Sequence, residues 1–365
     1  MLRTSDLEYE LPQRLIATQP VSPRDAARLM VVPRTNPGAI EHKTVRDLPS
    51  LLRAGDCLVF NTTRVLPARF RGRRVGTGGK IEGLFLHAVP AESGFKWITL
   101  LRGRHLRAGA ELELFDHAGA PSGVVITITG RPESEPGAWT VESHERASTP
   151  EVLERIGLTP LPPYIIKARQ AASWVEDEAA DRAVYQTVYA AEAGSVAAPT
   201  AGLHFTPELV GTLADMGVCN MAVVLHVGVG TFKPVETEFV EDHPMHAEWC
   251  SMSAGAVRMI QEAKAAGRRV VAVGTTAART LEAYAQALES GGEPPKSLET
   301  RILITPGYRF RWVDGLVTNF HLPRSTLLAM VGALLPGVDC LKQVYATAIG
   351  RGYRFYSFGD AMVIL

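Results

Sequence analysis

The chain has 365 residues, 46% hydrophobic and 21% charged, the proportions of a soluble globular protein with room for two domains and a sizeable core. Lys plus Arg and Asp plus Glu are equal at 38 each, which excludes a strongly basic or acidic chain and leaves overall charge silent about nucleic-acid or membrane partners. Cys57, Cys219, Cys250 and Cys340 are far apart and form no C-x-x-C pair, so reduced thiols are expected rather than a disulfide framework.

The opening "MLRTSDLEYELPQRL" lacks the apolar run of a signal peptide. The first strands expected are "RLMVV" and "DCLVF", short apolar runs bounded by polar and turn-forming residues. From Val65 the texture changes. "KIEGLFLHAV", "FKWITLL", "AELELF", "GVVITIT" and "AWTVES" are strand-like runs separated by Gly, Pro and Asp, the pattern of a small all-β barrel or sandwich.

Charge is uneven in this region. Arg64 to Arg107 holds ten Lys or Arg against Glu82 and Glu92, and "RVLPARFRGRR" supplies five of the cations. A basic stretch in a β-rich module is the footprint of nucleic-acid binding, although such runs are often only a solvated face. Arg64, Arg69, Arg71, Arg73, Arg74, Arg104 and Arg107 are the candidates for RNA contact.

Beyond about Thr149 strands and helices alternate, as in a layered α/β domain. "MAVVLHVG" and "RRVVAVGT" read as buried strands. "SAGAVRMIQEAKAAG" reads as a helix closed by Gly267, "TAARTLEAYAQAL" as a second and "STLLAMVGALL" as a third. This last run is too short, and too broken by Pro336 and Gly337, to span a bilayer, so a cytoplasmic protein without a membrane partner is expected. The simplest partition is an α/β domain of residues 1–64 and 147–365 with a β domain, residues 65–146, inserted.

Several segments carry residues suited to chemistry. "AAPTAGLHFT" packs Pro199, Gly202 and His204 together, a turn able to carry a proton-exchanging group. "LHVGVGTFKPV" delivers His226 from a strand into Gly228, Gly230 and Thr231, where glycines allow close ligand approach or merely form a bulge. "EDHPMHAEWC" offers His243, His246, Glu248 and Cys250, but no second ligand pair, so a pocket wall is favoured over a metal site and no metal is expected. In "VVAVGTTAARTLE" a strand runs through Gly274 into a helix, with Thr275 or Thr276 as N-cap and unpaired N–H groups suited to a carboxylate or phosphate. "VTNFHLPRSTLL" sets Asn319, His321 and Arg324 ahead of an apolar helix; Pro323 is placed in its first turn, with Ser325 or Thr326 as cap.

Taken in order, these motifs, with "YELPQRLIATQPVSPRDAARLMV", "FNTTRVLPAR", "GGKIE" and "YRFYSFGDAMVI", closely resemble the S-adenosylmethionine:tRNA ribosyltransferase-isomerase family of queuosine biosynthesis. One departure is Thr62, where Asn or Asp is expected. The resemblance implies an α/β domain with an inserted small antiparallel β-barrel. It also implies transfer of the ribosyl moiety of S-adenosylmethionine to 7-aminomethyl-7-deazaguanine at the tRNA wobble position. The ribosyl group is isomerised to give epoxyqueuosine, with adenine and methionine released; S-adenosylmethionine is a cosubstrate and no bound cofactor is needed. Carried over motif by motif, His204, His226, His246 and His321 are the acid–base candidates, with His204 facing the reaction. Gly228, Gly230, Thr231, Gly274, Thr275, Thr276 and Asn319 are the cosubstrate-binding candidates. A monomer is expected. The competing readings are an S-adenosylmethionine-dependent RNA methyltransferase, a non-enzymatic RNA-binding protein, and a metal-dependent hydrolase built on His243, His246 and Cys250.

Overall fold

The structure is a computed structural model describing residues 1–365 apart from 134, 176, 229–233 and 290. The chain opens with β1 (Arg28–Val32), β2 (Glu41–Thr44), β3 (Cys57–Asn61) and β4 (Thr63–Val65). Six strands follow: β5 (Arg69–Arg74), β6 (Lys80–Val89), β7 (Phe95–Gly103), β8 (Glu111–Phe115), β9 (Pro121–Gly130) and β10 (Trp139–Ser143). Next come α1 (Thr149–Ile156), α2 (Pro163–Ala171), α3 (Glu178–Val184), β11 (Glu192–Ser195), α4 (Pro207–Asp215), β12 (Cys219–Leu225) and β13 (Glu248–Ser251). The last third holds α5 (Ala254–Ala265), β14 (Val270–Val273), α6 (Thr275–Ala287), β15 (Leu298–Thr300) and β16 (Gly315–Asn319). It ends with α7 (Thr326–Leu334), α8 (Val338–Gly350) and β17 (Ala361–Ile364).

Two compact units result. The first comprises Met1–Arg64, Pro162–Trp174 and Gln186–Leu365. The second comprises Val65–Leu161 and Val175–Tyr185, so α1 and α3 belong with the barrel strands.

In the first unit, nine strands among the described residues form one mixed sheet, ordered β15-β13-β12-β3-β14-β16-β17-β1-β2. Its centre is parallel: β12 with β3, β3 with β14, and β14 with β16. Alternate residues of these strands feed two separate cores. Cys57, Val59, Val270 and Ala272 pack under α5, α6, α7 and α8, whereas Leu58, Phe60, Val271 and Val273 pack with Leu209 and Leu213 of α4. Both faces of the sheet are therefore buried, which is why these strands read as continuous apolar runs.

The helix ends follow local chemistry. Gly267 takes φ +68 just beyond α5, its N–H reaching Lys264 O at 3.0 Å while Arg268 N–H reaches Ala263 O at 2.9 Å. This closes the helix as the glycine predicts. Ser325 caps α7 by accepting from Leu328 N–H at 3.2 Å. Pro323 precedes α7, which begins only at Thr326, so it does not occupy the first turn. No single helix among the described residues is long and apolar enough to cross a membrane. Cys57 and Cys219, distant in sequence, are direct neighbours on parallel β3 and β12, and burial pushes the Cys57 thiol up to about 11.

The second unit contains a closed antiparallel barrel, ordered β10-β7-β6-β5-β8-β9. Inward positions hold Phe70, Phe85, Phe95 and Trp97, the last two stacked at 4.0 Å. Gly83 lies against the Phe70 ring, where a side chain of its own would collide.

Candidate active site

Parallel β12, β3, β14 and β16 all end at one edge of the sheet, the edge where open α/β sheets place ligands. A small recess opens there, within the first unit. Its wall includes Gly274–Thr276 after β14, Thr318–Leu322 at and beyond the end of β16, and Val227 beyond β12. Ala198–Ala201, Tyr164 and Tyr356 complete much of the rest.

The start of α6 differs from expectation. Gly274, at φ +88, is the N-cap, and neither Thr275 nor Thr276 takes that position. The strand turns directly into the helix, and only glycine adopts this backbone without strain. Gly274 N–H is used by Val317 O at 2.8 Å. The N–H groups of Thr275, Thr276 and Ala277 have no acceptor among the described residues. Thr276 is 7% exposed and its hydroxyl has no partner among them either. A buried, unpaired hydroxyl beside free helix N–H groups is suited to an anionic or strongly accepting ligand.

Across the recess, Asn319 is held at both ends of its amide, accepting from the Thr200 hydroxyl at 2.8 Å and donating to Tyr356 O at 3.1 Å. His321 is buried, with Nε2 2.7 Å from the Thr318 hydroxyl and Nδ1 without a partner among the described residues. Its N–H donates to the Tyr345 hydroxyl at 3.0 Å, and its carbonyl accepts from the Tyr9 hydroxyl. Burial pushes the imidazole down to about 3, so it is neutral near pH 7.

The remaining histidines lie elsewhere. His226 is half-buried and stacks on Trp249 at 4.9 Å, with Nδ1 3.0 Å from the Thr63 hydroxyl. Burial lowers its basicity and Glu192 partly opposes this. Gly194 has no side chain because one would strike the His226 ring. His204 does not line the recess, although Ala198–Ala201 of the same stretch do. Its ring nitrogens face Ala201 O at 3.1 Å and Gly359 O at 2.9 Å. Burial drives His204 toward the neutral form, while the two carbonyls and Asp360 oppose it. Gly202 admits the close approach of Tyr189 and Thr187. His246 is exposed and outside the recess.

Glu248 forms a buried ion pair with Arg279 and accepts from Gly228 N–H at 3.3 Å. Cys250 belongs to the apolar core. No group of three or more His, Cys, Asp or Glu side chains among the described residues is placed to share a metal ion. Arg324 turns outward toward Glu8 at 3.7 Å. Gly230 and Thr231 lie outside the described residues.

Sequence reasoning missed Tyr164 and Tyr356. Tyr356 sits at φ +72, rare for a bulky side chain, with its carbonyl taken by Asn319 and by Gly359 N–H at 3.0 Å. Its ring lies 4.7 Å from that of Tyr164, whose hydroxyl bonds Ser357.

A family model described as queuosine biosynthesis protein matches residues 4–364. Proteins named S-adenosylmethionine:tRNA ribosyltransferase-isomerase from Desulfitobacterium hafniense and Symbiobacterium thermophilum are each 47% identical to the chain over 365 residues, covering 100% of both sequences. A crystal structure of S-adenosylmethionine tRNA ribosyltransferase from Thermotoga maritima is 34% identical, covers 99% of this chain and 100% of that one, and superposes with a TM-score of 0.53. A family match over nearly the whole chain and identity of this extent mean that the chain belongs to the queuosine biosynthesis protein family.

Proposed function

We propose that the chain transfers the ribosyl moiety of S-adenosylmethionine to 7-aminomethyl-7-deazaguanine at the tRNA wobble position and isomerises it, forming epoxyqueuosine and releasing adenine and methionine. The observation that carries the reading is the convergence of Gly274–Thr276, Asn319, His321 and Pro199–Ala201 on one recess, in a chain of this family. The methionine carboxylate of the cosubstrate is assigned to the free N–H groups of α6 and the Thr276 hydroxyl, where partial positive charge favours an anion. Asn319, fixed from both sides, keeps one amide N–H and one Oδ1 lone pair beyond its bonds to Thr200 and Tyr356, and is assigned to hold the cosubstrate.

His321, in the recess, and His226, next in the chain to the recess-lining Val227, are assigned the acid–base work. Removing a proton beside the sulfonium needs a base, and the leaving adenine needs a proton. A neutral His321 has a ring nitrogen free to accept or donate one hydrogen bond. His226, half-exposed, exchanges protons with solvent more readily. The arginine-rich stretch of the barrel domain is assigned to the tRNA, and the reaction to a cytoplasmic, monomeric enzyme. Separating the small-molecule products tests the reading: free adenine and methionine support it, and S-adenosylhomocysteine would replace it with methyl transfer.

A further inference from the structure

We propose that one end of the barrel is a binding rim for RNA phosphates, formed by Lys80, Arg102, Arg104 and Arg107; the proposal rests on the reading that the substrate is a tRNA. Charge counting along the sequence does not separate working cations from structural ones, but the fold does. Arg73 is paired with Glu113 at 2.6 Å and Lys96 with Glu142 at 2.6 Å. Arg74 is held by the Thr77 hydroxyl at 2.7 Å and by His105 O at 3.0 Å. Arg69 and Arg71 are half-buried and engaged with neighbours. Lys80, Arg102, Arg104 and Arg107 are exposed, and none has an ion pair among the described residues.

These four cations share one place. Ile81 pairs with Gly103 and Glu82 with Arg102, so the start of β6 lies beside the end of β7. Val75 N–H reaches Glu111 O at 2.9 Å, bringing the β5–β6 turn beside the end of the β7–β8 loop. The Arg74–His105 bond ties this turn to that loop, and His105 holds a left-handed bend at φ +55. The rim is thus built from two adjacent connections, tied together.

A groove across β8, β9 and β10 is lined by Glu111, Glu142 and Glu145 with Thr127 and Thr129. Glu82, between Arg71 and Arg102 in the register, is the acid set among the basic residues. A polyanion is therefore drawn to the four unpaired cations of the rim. Four water-facing cations spread along one rim do not enclose a small anion, whereas a phosphate backbone presents charge at repeated spacing and pairs with each in turn.

The test uses the full-length chain and an unmodified tRNA transcript, with affinity followed against salt by fluorescence anisotropy. Replacing Lys80, Arg102, Arg104 and Arg107 together by Ala should lower the log–log salt slope by about 3, because each phosphate left unneutralised removes roughly 0.7 to 0.9. Thermal unfolding should stay unchanged, because exposed cations without partners hold nothing together. Arg73→Ala, which breaks a structural pair, should leave the slope nearly intact. An unchanged slope in the fourfold variant, or an equal loss in Arg73→Ala, would overturn the rim. The readout is binding and does not pass through turnover. A wild-type chain that binds tRNA through these residues yet cleaves no S-adenosylmethionine would sink the proposed reaction and leave the rim standing.

Discussion

The Thr318 hydroxyl lies 2.7 Å from Nε2 of His321, joining the end of β16 to the residue that faces the recess. The bond fixes the ring and decides which nitrogen is left for a ligand. Thr318→Val keeps the shape and removes the hydroxyl. A neutral orienting bond is worth about 0.5 to 1.5 kcal/mol, so the single-turnover rate should fall by roughly tenfold or less. His321→Gln, which removes proton transfer as well, should cost about 10²-fold or more if the ring exchanges a proton. Equal small losses in both variants would reduce His321 to an orienting group.

The same histidine makes stability depend on pH. Its folded value, about 3, lies below that of a free imidazole, so protons bind the unfolded chain first. Its contribution is complete above about pH 6.5 and is lost as pH falls toward the folded value, with a slope of up to about 1.4 kcal/mol per pH unit. His321→Asn should flatten the loss of stability between pH 6 and 4, read by denaturant unfolding at each pH. An unchanged profile would show that other groups set it.

His204 is expected to matter for folding more than for chemistry. A neutral His204 donates its one ring N–H to one of the two facing carbonyls; glutamine carries its donors at a different position, and losing that buried bond costs about 1 to 3 kcal/mol. His204→Gln should lower the thermal midpoint while the folded fraction keeps a near-normal single-turnover rate. A hundredfold slower rate in fully folded variant would return His204 to the chemistry.

Thr276→Val removes the unpaired hydroxyl at the start of α6 without changing its bulk. Affinity for S-adenosylmethionine should weaken by roughly three- to tenfold, the size of one hydrogen bond, while tRNA affinity holds. Calorimetric titration with each ligand separates the two, and loss of tRNA affinity alone would contradict the assignment.

Glu248 and Arg279 are each 6% exposed at the side chain. Glu248→Ala would strand the guanidinium in the interior, for which about 3 to 5 kcal/mol of destabilisation is typical. Chemical denaturation should show it; a loss below about 1 kcal/mol would mean that water reaches Arg279.

The α/β strands and the apolar strands of the barrel were legible because burial writes itself into runs and alternation. β5 was not. Its inward positions are Phe70 and Gly72, set among four arginines, so the stretch reads as a charge cluster although it is a barrel strand. Gly274 and the Asn319–His321 turn were legible because a strand ended in residues poorly suited to packing. Tyr164 and Tyr356 have no neighbouring motif that marks them as recess residues, and the left-handed backbone of Tyr356 has no local signature. His204 stands beside proline and glycine, which the sequence shows, but that its ring faces two backbone carbonyls is set by the fold alone.

One measurement bears on the reaction directly. The chain is incubated with S-adenosylmethionine and tRNA carrying 7-aminomethyl-7-deazaguanine, and the tRNA is digested and its nucleosides weighed. The account predicts conversion of the precursor nucleoside to epoxyqueuosine, with one adenine and one methionine released per modified tRNA. Precursor nucleoside recovered unchanged, or carrying only an added methyl group, would contradict it.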